Sequence, residues 1–193
     1  MEDHSAVIEV EPTELQDVKI ISTKTFADAR GVFIETYNHS SFAAAGIGET
    51  FVQDNFSLSI HKGTVRGLHF QLPPFGQAKL VRVGRGRILD VVVDLRRGSS
   101  TFGKHVAVEL SAANRLQIFV PVGFAHGFCT LEPDTEVHYK VSAPYSPAHD
   151  RGLAWDDPAL AIAWPVAAEQ AILSDKDTRH PRLADLATTG FEV

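Results

Sequence analysis

Four side chains combine chemical types that one pocket could use together: His69, Lys79, His126 and Tyr139. A histidine accepts a proton near neutral pH, a lysine stabilises a developing oxyanion, and a phenol returns a proton as an acid. Such a set could remove a proton next to a carbonyl group. His69 and Lys79 are expected on adjacent strands, with a Pro-Pro turn between them, within reach of one ligand. Each residue alone has an ordinary explanation, because most lone histidines are structural and most lone lysines are surface charges.

The segment Pro121 to His126 matches half of a metal-binding motif, the Pro-x-Gly-x-x-His pattern of cupins. The other half of that motif needs His-x-His followed by a glutamate. Here it reads His69-Phe70-Gln71, and residues 72–79 contain no glutamate. A divalent metal would lose two ligands at such a site, so the sequence predicts a pocket that holds no metal. A metal-dependent cupin that uses His69 and His126 is the weaker alternative.

Strands must position these groups, because short β-branched runs are punctuated by 14 glycines and 10 prolines at intervals of roughly ten residues. That spacing is typical of sandwiches and barrels, and the fold class is predicted to be mostly β. Two peripheral helices are expected, over 40–45 and from Pro158 onward. The predicted strands are 17–22, 51–57, 64–71, 80–83, 88–95, 105–110, 117–120, 127–131 and 137–141.

Residues two apart in a strand share a face, which groups polar side chains together. Gln53, Asn55 and Ser57 point one way on their strand, and His69 and Gln71 point one way on theirs. These faces could simply be solvated, as in many antiparallel sheets. They could equally line a small barrel whose polar interior holds one small molecule.

Composition limits the classes of protein that this chain could be. Its 193 residues are 44% hydrophobic and 22% charged, which fits one domain over 1–193, with residues 1–10 as a flexible, tail-like arm. A net charge of −6 leaves no basic excess for binding nucleic acid. The single cysteine, Cys129, cannot form an internal disulfide. No apolar run is long enough to span a membrane and no targeting signal begins the chain, so a cytoplasmic protein is expected.

Several motifs occur in the same order as in a known family. The sequence resembles the dTDP-4-dehydrorhamnose 3,5-epimerases, the RmlC family, from about residue 18 to 177. The motifs that carry the resemblance are FVQDN at 51–55, RGLHFQ at 66–71, the segments 90–96 and 98–103, PVGFAHGF at 121–128, YK at 139–140, WDDP at 155–158 and LSDKD at 173–177.

The resemblance implies a homodimeric cupin-type jelly roll, with the N-terminal strand exchanged, that works without a cofactor. Its substrate would be dTDP-4-dehydro-6-deoxy-D-glucose, a dTDP-4-keto-6-deoxyhexose inverted at C3 and C5 on the way to dTDP-L-rhamnose. His69 matches the general base, and Asp177 the carboxylate that orients it. Lys79 matches the residue that stabilises the enolate, and Tyr139 the acid on the opposite face.

The same resemblance assigns residues to the nucleotide, because guanidinium groups suit a diphosphate and amides can read a thymine edge. The implied substrate-binding residues are Arg30, Glu35, Gln53, Asp54, Asn55, Arg66, Lys79, His126, Asp150 and Lys176.

Three positions depart from the family pattern: Phe56, Pro144 and Asp150. The first two could alter the sugar pocket or the packing of the base, and the third a nucleotide contact. An epimerase that inverts only C3 or only C5 of a related sugar therefore remains an alternative. A sugar-nucleotide binding protein without catalysis is a further one, and the complete set of four catalytic-type residues argues against it.

Overall fold

The computed structural model describes residues 8–186 and residue 191. Strands dominate, which confirms the predicted mostly β class. One α-helix, α1 (His39–Ala44), and three short 3-10 helices, Ala168–Gln170, Asp177–Arg179 and Leu183–Asp185, lie at the periphery. The strands are β1 (Ile8–Pro12), β2 (Lys19–Thr23), β3 (Thr25–Asp28), β4 (Gly31–Ile34), β5 (Gln53–Ser59), β6 (Val65–Gln71), β7 (Lys79–Arg85), β8 (Arg87–Asp94), β9 (His105–Ser111), β10 (Gln117–Val120), β11 (Phe124–Thr130), β12 (Thr135–Val141) and β13 (Asp150–Gly152).

The strands form two facing antiparallel sheets, the arrangement of a jelly roll. One sheet has six strands in the order β1-β2-β10-β7-β12-β5, and the other has five in the order β13-β6-β11-β8-β9. Strands β3 and β4 form a separate hairpin. All nine predicted strands are present, with ends that differ by a few residues, and β1, β3, β4 and β13 are additional.

The core lies between the two sheets, where alternate side chains of each strand meet. Val81, Ile118 and Val137 of the six-stranded sheet pack with Val92 and Phe128 of the five-stranded sheet, and all five are buried. Burying a side chain of this size contributes roughly 1.5–3 kcal/mol. These side chains therefore form an apolar core between the sheets.

Part of the outer face of each sheet is covered by other segments of the chain. Leu160 from the C-terminal segment packs on Leu68 and Val91 of the five-stranded sheet. Phe42 of α1 packs in the cluster that contains Leu80 of the six-stranded sheet. This covering brings the C-terminal segment beside β6, where the Val65 N–H donates to the carbonyl oxygen of residue 172 at 2.9 Å.

Of the two predicted helices, the structure contains one. Helix α1 begins after Asn38, whose Oδ1 accepts hydrogen bonds from two N–H groups of the first turn, as expected for a helix N-cap. The helix predicted from Pro158 onward is wrong, since residues 158–160 form a turn. The buried Asp157 carboxylate accepts hydrogen bonds from the N–H groups of Ala159 and Leu183, so it ties this turn to the C-terminal segment instead of starting a helix.

Part of the expected N-terminal arm is a strand. Residues 8–10 belong to β1, which pairs with β2 at the edge of the six-stranded sheet. Residues 1–7 of the predicted arm lie outside the described residues. None of the helices in the described ranges is long and apolar enough to cross a membrane.

Candidate functional site

Two adjoining cavities of about 430 and 320 Å³ lie between the sheets, a size typical of small-molecule sites. Both are lined by His69, Lys79, Tyr139 and Lys176, so they form one cleft. The polar strand faces predicted from alternation point into this cleft and are not solvated surfaces of the sheet. His126 also lines the larger cavity. The structure thus brings together all four side chains, His69, Lys79, His126 and Tyr139, that the sequence predicted to share one pocket.

His69 on β6 is paired with Asp177, which lies 108 residues later in the chain. Nε2 of His69 and Oδ1 of Asp177 are 2.5 Å apart. The Asp177 side chain is 4% exposed, whereas that of His69 is 31% exposed, so a ligand can reach the imidazole but not the carboxylate. The N–H of Asp177 donates to the carbonyl oxygen of Ser174, which fixes the short 3-10 helix that carries it.

The charges of this pair suit a general base. Burial lowers the pKa of His69 below its ordinary value, although the neighbouring Asp177 opposes the shift. Burial alone would raise the pKa of Asp177, but contacts with His180 and His69 outweigh it and hold that pKa well below the usual range. Near neutral pH the imidazole is therefore neutral and its partner carboxylate is ionised.

Lys79 and Tyr139 lie on the opposite wall from His69. The expectation that His69 and Lys79 occupy adjacent strands is wrong, because β6 and β7 belong to different sheets. The two strands instead face each other, with Nζ of Lys79 3.4 Å from the carbonyl oxygen of His69. Burial lowers the pKa of Lys79 to about 8, with the carboxylate of Asp90 opposing the shift. Burial raises the pKa of Tyr139, which keeps its phenol protonated.

His126 is held by a carboxylate that the sequence analysis did not identify. Its Nε2 lies 2.8 Å from Oδ2 of Asp90, a residue that is fully buried on β8. The two strands pair directly, which sets this contact. His126 is thus positioned at the larger cavity by a second histidine–carboxylate pair.

The described residues contain one cluster with metal-ligand geometry, and it excludes His126. The ligand atoms of His69, Asp177 and His180 lie within 4.8 Å of one another. The 2.5 Å separation of the His69 and Asp177 atoms is a hydrogen-bond distance, shorter than the roughly 3.3 Å between ligands around tetrahedral zinc. This arrangement suits proton transfer better than metal binding. It also differs from the cupin metal site considered from the sequence, which would use His69 and His126.

Gln53, Asn55, Asp150 and Lys176, four of the residues predicted to bind the nucleotide, line the smaller cavity, and their binding roles stay predictions. Gln53 Nε2 donates to Asn55 Oδ1 at 2.8 Å, which holds the two amides side by side on β5. The Lys176 ammonium forms an ion pair with the Asp150 carboxylate.

Tyr145 is an addition to the site that the sequence analysis did not list. Its hydroxyl donates to Asp150 at 3.0 Å, and its N–H donates to Gln53 Oε1 at 3.2 Å. The ring is exposed at the smaller cavity, where a planar base could stack on it.

Arg66 enters the larger cavity because β6 is irregular. Strict alternation would turn Arg66 away from His69, but the register with β11 shifts between His126 and Phe128. Gly67 has a φ of +124°, and a Cβ there would lie 2.6 Å from the Cα of the neighbouring strand. Glycine at this position therefore allows Arg66 and His69 to face the same cleft.

Arg30, Glu35 and Asp54, all predicted to bind the nucleotide, do not line the cleft of their own chain. Arg30 lies in the β3–β4 hairpin and forms an ion pair with Asp28 at 2.5 Å. Asp54 accepts from Nζ of Lys140 at 2.8 Å on the outer face of the six-stranded sheet. The binding roles of these residues remain predictions.

Phe56 also lies on that outer face, where its ring contacts His138 with centroids 5.2 Å apart. Its departure from the family pattern therefore has no direct route to the cleft. Pro144 is nearer, since its carbonyl oxygen accepts from Nε2 of Gln71, which lines the smaller cavity.

Comparisons with known proteins agree on one family. A family model described as dTDP-4-dehydrorhamnose 3,5-epimerase matches residues 12–185. The chain is 53% identical over 172 residues to dTDP-4-dehydrorhamnose 3,5-epimerase of Sinorhizobium fredii (strain NBRC 101917 / NGR234), covering 89% of this chain and 88% of that protein.

Two solved structures share the fold. One is dTDP-4-dehydrorhamnose 3,5-epimerase from Bacillus anthracis with TDP and PPi bound. It matches with a TM-score of 0.88 and 49% sequence identity, and the match covers 91% of this chain and 99% of that chain. The other is dTDP-6-deoxy-D-glucose-3,5-epimerase from Legionella pneumophila in complex with dTDP-4-keto-L-rhamnose. It matches with a TM-score of 0.88 and 42% sequence identity, and the match covers 93% of this chain and 94% of that chain. The jelly-roll class predicted from the sequence is confirmed.

Proposed function

The chain belongs to the dTDP-4-dehydrorhamnose 3,5-epimerase family, and we propose that His69 and Tyr139 act from opposite walls of its cleft to invert the sugar. It is a nucleotide-sugar epimerase that converts dTDP-4-dehydro-6-deoxy-D-glucose to dTDP-4-dehydro-L-rhamnose, by inversion at C3 and C5, in dTDP-L-rhamnose biosynthesis. The residue assignment rests on one observation. His69 and its partner Asp177 lie on the side of the cleft formed by the five-stranded sheet, and Lys79 and Tyr139 lie on the side formed by the six-stranded sheet.

Each inversion is a proton exchange next to the C4 ketone. Neutral His69 takes the proton from the carbon, and the electron pair of that C–H bond moves into an enolate whose oxygen the Lys79 ammonium stabilises. Tyr139 then returns a proton to the same carbon from the other side. The imidazolium loses its proton to water and the phenolate regains one, so the enzyme is ready for the second centre. Asp177 stabilises the imidazolium during the step.

The thymidine would occupy the smaller cavity and its mouth, and the diphosphate would extend to the edge of the larger cavity, which Arg66 lines. Arg66 and Lys176 offer positive charge to the diphosphate, and the Gln53–Asn55 pair offers amide groups to the thymine. Tyr145 offers a ring for the base to stack on. These contacts leave the keto sugar between His69 and Tyr139.

A homodimer would complete this site. Arg30 lies on a hairpin that pairs with no other strand among the described residues, and the hairpin exposes Val32 and Phe33. A second copy could accept these apolar side chains and receive Arg30 at its own diphosphate. Light scattering that gave only the mass of a single 21.1 kDa chain would rule this out. The cytoplasmic location expected from the sequence stays a prediction that cell fractionation would test.

The reaction is tested by proton NMR of dTDP-4-dehydro-6-deoxy-D-glucose in deuterated water. We expect the C3 and C5 signals to disappear only when the protein is present, because both hydrogens exchange through the enolate. A coupled reductase should then accept the product. Exchange at one centre alone would instead identify an epimerase of that centre, and no exchange at either would overturn the function.

The pH dependence of kcat/KM follows from the two shifted groups. His69 must be neutral to act as a base, so the rate should fall on the acid side with an apparent pKa below 6.5, the ordinary value for histidine. Lys79 must be protonated to stabilise the enolate, so the rate should fall again as the pH rises through about 8. The measurement is kcat/KM from pH 5 to 10. Lys79→Arg should move the alkaline limb upward, and a wild-type profile that stays flat across pH 8 would contradict the role of Lys79.

A further inference from the structure

The Asp177 carboxylate is shared by two imidazoles. Oδ1 of Asp177 lies 2.5 Å from Nε2 of His69 and 3.3 Å from Nε2 of His180. We propose that His180 is a positioning residue, which holds Asp177 in the orientation that serves His69. This inference rests on the proposed roles of His69 and Asp177 and adds a third member to their pair.

The ring of His180 occupies a place built for it. A Cβ on Gly152 would lie 2.2 Å from Nε2 of His180, so only glycine at that position leaves room for the ring. Gly152 is the register partner of His69 on the neighbouring strand, which sets the two imidazoles side by side. Their ring centroids are 5.5 Å apart and the planes are nearly perpendicular, at 79°.

The backbone on both sides of His180 is fixed as well. The N–H of Arg179 donates to the carbonyl oxygen of Lys176 at 3.1 Å, and the carbonyl oxygen of Pro181 accepts from the N–H of Ala154 at 2.8 Å. The His180 side chain is 9% exposed. Its ring therefore cannot leave Asp177 without disturbing packed neighbours.

The polar contacts of His180 and Asp177 also support this role. Nε2 of His180 is buried and has no hydrogen-bond partner of good geometry among the described residues, and the Asp177 Oδ1 that lies 3.3 Å from it makes an ion-pair contact. A buried carboxylate needs donors, because an ionised group without them is costly. His69 changes its protonation in every turnover, so its contact with Asp177 changes too. His180 supplies the contact that stays constant.

His180 does not line the cleft in which the substrate is proposed to bind. It is absent from the lining of both parts of the cleft, whereas His69 and Asp177 both line the larger part. A direct role as base or acid is therefore excluded by its position, and it acts through Asp177.

A matched pair of variants tests this role, His180→Gln and His180→Met. The two replacement side chains have nearly the same length and volume, but only glutamine keeps an N–H donor. We expect His180→Met, which removes the polar contact with the ionised Asp177, to lower kcat roughly 10-fold to 100-fold, the fold-change that corresponds to about 1.5–3 kcal/mol for a polar contact with a charged group. His180→Gln should stay within about 5-fold of wild type, and KM should change by less than about 2-fold in both, as for loss of an interaction in the transition state.

Two further measurements separate positioning from folding. Thermal unfolding should show a single cooperative transition for both variants, with a midpoint lower by several degrees in His180→Met, because the buried carboxylate loses a donor there. The His69 and Asp177 hydrogen bond should be visible in wild type as a downfield proton resonance, which should shift in His180→Met and return toward its position in His180→Gln. Equal kcat values for the pair, or a resonance that is the same in all three proteins, would overturn the inference. Absence of exchange in wild type would instead overturn the proposed function itself.

Discussion

His69→Ala is expected to abolish exchange of the C3 and C5 hydrogens with solvent, lowering kcat by roughly 10²–10⁴, the usual contribution of a general base. In the part of the chain that the structure describes, no second base is placed to replace it. His126 is committed to Asp90 at 2.8 Å, and Asp177 is too deeply buried to reach the substrate directly. The exchange is followed by proton NMR in deuterated water at saturating substrate.

Binding of the nucleotide should survive this substitution, because the cation and amide groups of the smaller cavity stay in place. Calorimetric titration with dTDP should therefore give a similar affinity for His69→Ala and wild type. His61→Ala is the matched control, since His61 is an exposed histidine outside the cleft and should exchange at the wild-type rate. Unchanged exchange in His69→Ala would remove His69 from the role of base.

Alternation along strands was enough to predict which polar groups share a strand face, but it did not decide whether those faces line a cleft, and it missed Arg66. Gln53 and Asn55 on β5 and His69 on β6 all face the cleft, because a strand places every second side chain on one side. What alternation could not supply was the pairing of the strands. His69 and Lys79 were expected side by side, and they meet instead across the sandwich because their strands join different sheets.

Contacts between distant parts of the chain were beyond local reasoning. Asp177 was placed beside His69 only through the family resemblance, since nothing within 108 residues of sequence dictates it. His180 carries no motif, and its position depends on the absence of a side chain at Gly152. The helix expected at Pro158 is absent for a similar reason, because the Asp157 carboxylate accepts a hydrogen bond from the distant N–H of Leu183.

The arrangement of the sheets explains why this fold suits an inversion. A base and an acid on neighbouring positions of one strand face would reach the same side of a bound ring, and proton return would then restore the original configuration. Here His69 belongs to the five-stranded sheet and Tyr139 to the six-stranded sheet. A sugar ring held between the sheets has one group on each side, which is what inversion needs.

Tyr139→Phe is expected to separate proton removal from inversion. The substitution deletes only the hydroxyl, and the ring can keep its packing against the apolar core between the sheets. His69 and Asp177 are untouched, so deuterium should still enter the substrate in deuterated water. Without the acid on the opposite wall, the proton returns from the side of His69 or from water. Formation of the inverted product should therefore fall by roughly 10²–10⁴.

The readout is the ratio of deuterated but uninverted substrate to inverted product, measured by NMR over one time course. Tyr145→Phe is the matched control, because it removes a phenol at the mouth of the smaller cavity, where the hydroxyl contacts Asp150. That variant should change affinity for dTDP and leave the ratio as in wild type. If Tyr139→Phe forms inverted product as fast as it incorporates deuterium, the proton must come from another donor, and the two-wall mechanism is wrong. If the ratio of deuterated, uninverted substrate to inverted product rises only in Tyr139→Phe, Tyr139 of the six-stranded sheet is the acid that acts across the sugar ring from His69.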